Sequence, residues 1–147
     1  GRLREAFPDT ANVHYLMGYL RLLENDPGAL EEFEKELKLS PDHVPARLQI
    51  AYEYLNRGEA EKGLPYAERA VALAPKDFIG RDIHGRLLLA AGRVEEAVSA
   101  LEEAVQLQPA SAEAHFHLAS AYARAGRKAD AARHRAEFEK LQKPRNP

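Results

Sequence analysis

Apolar residues in this 147-residue chain recur three and four positions apart over about fourteen residues, stop at a Gly or an Asn-Asp-Pro-Gly run, and then resume. That spacing keeps one face of an α-helix apolar and leaves the other to charged residues. The columns Leu16, Ile50, His84, Leu118 and Leu20, Tyr54, Leu88, Tyr122 fall on one face of a first helix. The columns Ala29, Gly63, Ala97, Ala131 and Phe33, Ala67, Leu101, Arg135 do the same on a second, with small residues where two helices must approach closely. β-branched runs are absent, so strands do not compete. The predicted unit is a helix hairpin.

Pro41, Pro75 and Pro109 stand 34 residues apart, which marks the hairpin as a repeat. Four blocks follow: residues 10–43, 44–77, 78–111 and 112–145. Residues 1–9 read as the tail of a preceding repeat, with Leu3 and Phe7 apolar and Pro8 at its close, so the parent chain is expected to continue upstream. Gly58, Gly92 and Gly126 sit between the two helices, where a positive φ reverses the chain cheaply. The first block uses Asn25-Asp26-Pro27-Gly28 instead, with Asp26 expected to cap a helix that Pro27 begins. Gly63 and Pro65 predict a local bend in the second helix of the second block. The last helix is rich in charge, with Arg135 in the column of Phe33 and Leu101, and is expected to end the array as a polar cap.

The pattern resembles the tetratricopeptide repeat, with its aromatic, Leu, Gly or Ala, Tyr, a turn, then Ala, Phe, Ala and Pro. The third block carries it as Gly85, Leu88, Gly92, Ala97, Leu101, Ala104 and Pro109. The fourth carries it as Leu118, Ala119, Tyr122, Gly126, Ala131 and Phe138. The resemblance covers about residues 8–144 and implies an all-α solenoid, a right-handed superhelix of about four helix-turn-helix repeats forming one domain. One departure is plain: the column where the family usually opens with an aromatic holds Val13, Arg47, Arg81 and His115, which are expected to be partly exposed.

Composition narrows function by exclusion. A net charge of −2 with mixed signs gives no general pull toward nucleic acid or anionic lipid. Without Cys there is no disulfide, thiolate nucleophile or Cys-ligated metal, and no apolar run approaches the length of a membrane span. His115 and His117 point about 200° apart on a helix, so they do not form a metal site. GEAEKG, residues 58–63, lacks the Lys-Ser/Thr ending and the preceding strand of a phosphate loop. The pairs Glu31-Glu32, Glu95-Glu96 and Glu102-Glu103 read as the solvent side of second helices, near the positive helix end. No catalytic residue and no cofactor are assigned, and an enzyme is not expected.

In the family the first helices line a concave groove that holds an extended peptide or a partner's helix. The resemblance therefore implies a protein-interaction scaffold whose candidate groove residues are Tyr15, Leu48, Gln49, Tyr52, Ile79, Ile83, Arg86, Phe116, His117, Ser120 and Arg124, with His14 and Gly18 beside them. A Lys and Asn clamp for chaperone C-termini, known in one branch, is absent: those positions read His14, Gly18, Gln49, Ile79 and Ile83. Two alternatives stand beside a peptide or protein partner. One is self-association of an acidic front (Glu24, Asp26, Glu31, Glu32, Glu34, Glu36) with the basic C-terminal stretch, and the other is service as an appendage of a larger protein.

Overall fold

The computed structural model describes residues 12–143, and the assignments made to residues 1–9 and to Arg145 lie outside them. Among the described residues there are eight helices and no strand. They are α1 (Val13–Leu23), α2 (Ala29–Leu39), α3 (Val44–Asn56), α4 (Ala60–Leu73), α5 (Phe78–Ala90), α6 (Val94–Leu107), α7 (Ala112–Arg124) and α8 (Lys128–Gln142). The chain divides into two compact units, residues 1–73 with α1–α4 and residues 74–147 with α5–α8. Each unit contains two antiparallel hairpins, so the predicted all-α helical-repeat fold is present.

The repeat period is written into the helix ends. His43, Asp77 and Ser111, one per repeat, each accept a backbone N–H from the first turn of α3, α5 and α7 respectively. Gly58, Gly92 and Gly126 take φ of 72°, 82° and 77°. The N–H of the residue after each bonds the carbonyl five back, to Tyr54, Leu88 and Tyr122, which closes the first helix. In the first repeat Asn25 does the same at φ 56°, with Asp26 N–H donating to the Arg21 carbonyl. Asp26 does not cap a helix begun by Pro27: α2 starts at Ala29, and the Asp26 carboxylate takes the Gly28 N–H at 2.8 Å within the turn. Helix α4 runs unbroken through Pro65.

Helix pairing within each hairpin follows side-chain size. Gly18 faces Phe33 and Gly85 faces Leu101 so closely that a Cβ at either glycine would meet the larger side chain at 2.8 and 2.5 Å. Ala51 and Ala119, both buried, hold the corresponding places on α3 and α7. The first unit's core joins Ala29, Phe33 and Ile50 with Tyr15, Tyr54 and Tyr66; the second's joins Val98, Leu101, Leu118 and Tyr122. Burying Phe33 contributes about 2–3 kcal/mol.

Gly18, Ala51, Gly85 and Ala119 are spaced 33, 34 and 34 residues apart, so the first repeat is one residue shorter before its second helix. The predicted columns are therefore wrong on α1 by one position, a rotation of about 100°. Val13, His14, Met17 and Gly18 are buried, whereas Leu16 and Leu20 are 48% and 49% exposed.

The unusual column also has a structural reason. Arg47 Nε donates to the Pro41 carbonyl at 2.9 Å, Arg81 Nε to Pro75 at 2.9 Å, and His115 Nε2 to Pro109 at 2.7 Å. Each donor ties a first helix to the proline carbonyl six residues before it. Arg47 and Arg81 are half-buried under this latch, in line with the expected partial exposure, whereas Val13 and His115 are buried, against it.

Candidate functional site

In the first unit, the register shift decides which α1 side chains reach water. Tyr15 turns inward: its ring centre lies 5.8 Å from that of Phe33 and 5.0 Å from that of His43, and burial, then Tyr19, lift its phenol above the usual tyrosine range. His14 is buried with Nδ1 2.8 Å from Glu32 Oε2, and Gly18 is covered by Phe33, so neither lines a groove. The exposed side chains are Leu16, Tyr19, Leu20 and Leu23, which the sequence reading missed. On α3, Tyr52 is exposed, Gln49 half-buried and Leu48 buried. The chaperone-type clamp stays absent after the shift, since its α1 positions become Tyr15 and Tyr19.

The same hairpin corrects the reading of its carboxylates. Glu32 is 2% exposed and Glu36 fully buried, so they do not belong to a solvent side and cannot serve an acidic docking front. Glu32 lies within ion-pair reach of His14, Arg21 and Lys35. Glu36 Oε1 accepts the Tyr15 N–H at 3.2 Å, capping the first turn of α1 from a neighbouring helix. Glu95 and Glu96 are exposed as expected, while Glu102 is half-buried and accepts the Tyr122 hydroxyl at 2.7 Å.

In the second unit, α5 and α7 are in contact. Ile79 and Phe116 are 56% and 46% exposed, and Ile83 is buried. The Phe116 ring rests 5.1 Å from that of Phe138. His117 Nδ1 donates to Asp82 Oδ1 at 2.9 Å, joining the two helices. Ser120 Oγ donates to the Phe116 carbonyl one turn back. Arg124 reaches across to the Leu89 carbonyl at 3.0 Å, and Arg86 is half-buried on the same side. Of the predicted groove residues of this unit, Ile79, Phe116 and Arg124 are exposed, Arg86, His117 and Ser120 are half-buried and Ile83 is buried.

His115 Nε2 donates to the Pro109 carbonyl at 2.7 Å, and its Nδ1 lies 2.9 Å from His134 Nδ1. Among the described residues no group of three His, Asp or Glu side chains could hold a metal, and no helix is long and apolar enough to cross a membrane.

Stacked helix hairpins with matched caps, turns and size-paired contacts define a helical-repeat interaction protein. A family model described as "Tetratricopeptide repeat" matches residues 44–77, and one described as "TPR repeat" matches residues 85–126, together just over half of the chain. The chain belongs to the tetratricopeptide repeat family, and its role is that of a protein-protein interaction scaffold. It is 40% identical over 78 residues to the TPR repeat-containing thioredoxin TTL4 of Arabidopsis thaliana, covering 53% of this chain and 11% of that protein. It is 31% identical over 94 residues to the tetratricopeptide repeat and J domain-containing co-chaperone DNJ1 of Fusarium oxysporum, covering 60% and 18%. The chain therefore spans between about a tenth and a fifth of the length of these curated relatives. Among solved structures it is similar to a MamA RS-1 ArsTM double mutant, with a TM-score of 0.85 and 27% identity over 95% of this chain and 79% of that one. MamA 41-end from Desulfovibrio magneticus RS-1 gives a TM-score of 0.82 and 28% identity over 91% and 76%.

Proposed function

We propose that the chain is a non-catalytic module that holds a segment of a partner protein on the faces formed by its first helices. One observation carries the reading. Seven of the nine large apolar side chains exposed among the described residues lie on first helices: Leu16, Tyr19, Leu20, Leu23, Tyr52, Ile79 and Phe116. The other two, Leu39 and Leu107, only close α2 and α6. Apolar surface gathered on one side of a repeat, opposite a charged side, is the usual mark of a partner site.

Occupancy by a short segment fits an affinity of about micromolar, roughly −8 kcal/mol. The coverage of the curated relatives supports a module carried within a longer protein. The test is crosslinking or pull-down with Tyr52→Ala and Phe116→Ala variants, with melting curves run alongside because Phe116 also packs on Phe138. Recovery of the partner should fall at least fivefold in variants that melt normally. Undiminished recovery by both would remove these faces as the site.

A further inference from the structure

One column of the first helices changes chemistry at a single place. Leu20, Leu87 and Ala121 hold it in α1, α5 and α7, and Leu87 and Ala121 are wholly buried. The member on α3 is Glu53, whose side chain stays 19% exposed. Beside it, within the first unit, lies a cavity of about 230 Å³ between the end of α3 and the turn that joins α1 to α2. Leu22, Pro27 and Ala29 supply its apolar lining, and Asn25, Asp26, Glu53 and Arg57 its polar lining. Asp26 is committed to the turn itself, with Oδ2 3.0 Å from Arg21 Nη1 and Oδ1 accepting the Gly28 N–H. Glu53 and Arg57 are matched less well. Oε2 and Nε stand 3.9 Å apart, too far for a hydrogen bond, so each keeps bonding capacity for a third group. Half-burying a carboxylate costs free energy unless a partner answers it, and this guanidinium answers it only in part.

We propose that this cavity binds a small zwitterion, a free α-amino acid with an aliphatic side chain. Such a ligand carries an ammonium and a carboxylate on one carbon, and the protein sets a carboxylate and a guanidinium one helical turn apart. The ammonium takes Glu53 and the carboxylate takes Arg57 through charge-assisted hydrogen bonds, and the opposite charges stay balanced. A plain amine would set its charge beside the Arg57 guanidinium, and a plain acid would set its charge beside the Glu53 carboxylate. Asn25, whose carboxamide offers both donor and acceptor, serves either head group. The aliphatic side chain covers Leu22, Pro27 and Ala29. Size sets the limit: about 230 Å³ is the share of roughly eight waters at about 30 Å³ each, room for leucine but not for a folded-in peptide. The site draws on none of the apolar residues exposed on the first helices, so it goes beyond the partner faces and stands or falls separately from them.

The probes are leucine and two relatives that each lack one head group, isoamylamine and isocaproate, titrated into the isotope-labelled chain and followed by amide shifts. Leucine should saturate with a dissociation constant of about 1 mM or below, and each relative should bind at least tenfold more weakly. The shifts should gather at the turn between α1 and α2 and at the end of α3. Glu53→Gln, which keeps the shape and removes the charge, should weaken leucine at least tenfold with the melting temperature unchanged. Glu53→Leu, which gives α3 the residue that α5 has in this column, should fill the cavity and abolish binding. Equal binding of isoamylamine or isocaproate, or shifts gathered elsewhere in the chain, would overturn the proposal. So would a leucine titration that never saturates, or leucine binding that survives both Glu53 variants.

Discussion

Gly85 offers a direct test of how the hairpins are held. A methyl group there would stand 2.5 Å from Leu101 Cγ and 2.6 Å from Cδ2. Leu101 is wholly buried and packed with Val98, Leu118 and Tyr122. Two effects oppose each other in Gly85→Ala. Alanine is favoured over glycine in a helix interior by about 1 kcal/mol. Overpacking a filled core costs about 1–3 kcal/mol, and a contact this short belongs at the upper end. The net expectation is a loss of about 1–2 kcal/mol. In a Leu101→Ala background the obstacle is gone, so the same glycine change should stabilise by up to about 1 kcal/mol, even though Leu101→Ala itself costs about 2–5 kcal/mol. Urea unfolding followed by circular dichroism, with amide exchange on α5 and α6 to localise the effect, measures all four members of the cycle. A raised midpoint for Gly85→Ala alone, or effects that add within about 0.5 kcal/mol, would refute size-paired packing.

The His115–His134 contact makes the second unit sensitive to acid. Burial first, then His115 and Arg133, hold the His134 imidazole below the usual histidine value, against smaller opposing effects of Asp130 and Glu102. The unfolded chain then binds more protons, so stability is full above the unfolded pKa of about 6.5 and falls as pH drops from there toward the lower folded value. Melting temperature against pH should show this slope, and His134→Gln should flatten it; an unchanged slope would exclude the pair as its source. For the proline latch, Arg81→Leu removes the bonds to Pro75 and Glu103 and should cost about 1–2 kcal/mol. Arg81→Lys, which keeps the charge but not the directional Nε–H, should recover only part of the loss in urea unfolding, and full recovery would reduce the latch to a charge pair.

The hairpins were legible because their decisive signals are local. A glycine at positive φ recurs at one period in repeats two to four, a proline and a cap recur at the same period just before their first helices, and each acts within a few residues of itself. The buried carboxylates were not legible, since acids read as solvent-facing unless a partner is known, and the partners of Glu32 and Glu36 lie on another helix. The proline latch left a readable trace, a donor six residues after each of Pro41, Pro75 and Pro109, but a donor in an aromatic column has no meaning until its carbonyl is in view.

The first repeat shows why residue type alone does not define a site. Helix α1 is apolar nearly all round, with Val13 and Met17 on one side and Leu16, Leu20 and Leu23 on another, so hydrophobic periodicity fits two registers equally well. Sterics choose between them, because only a residue without a Cβ fits under the Phe33 ring and only Gly18 can be placed there. That one choice rotates the helix by about 100°. It sends Tyr15 into the core and sets Tyr19 in the column of Tyr52, 33 residues away in sequence. The 33-residue step from Pro8 to Pro41 carries the same deletion in the sequence. Which aromatic ring a partner could touch on α1 is therefore decided by a packing contact on the helix's opposite side, one that no property of the exposed residues themselves reveals.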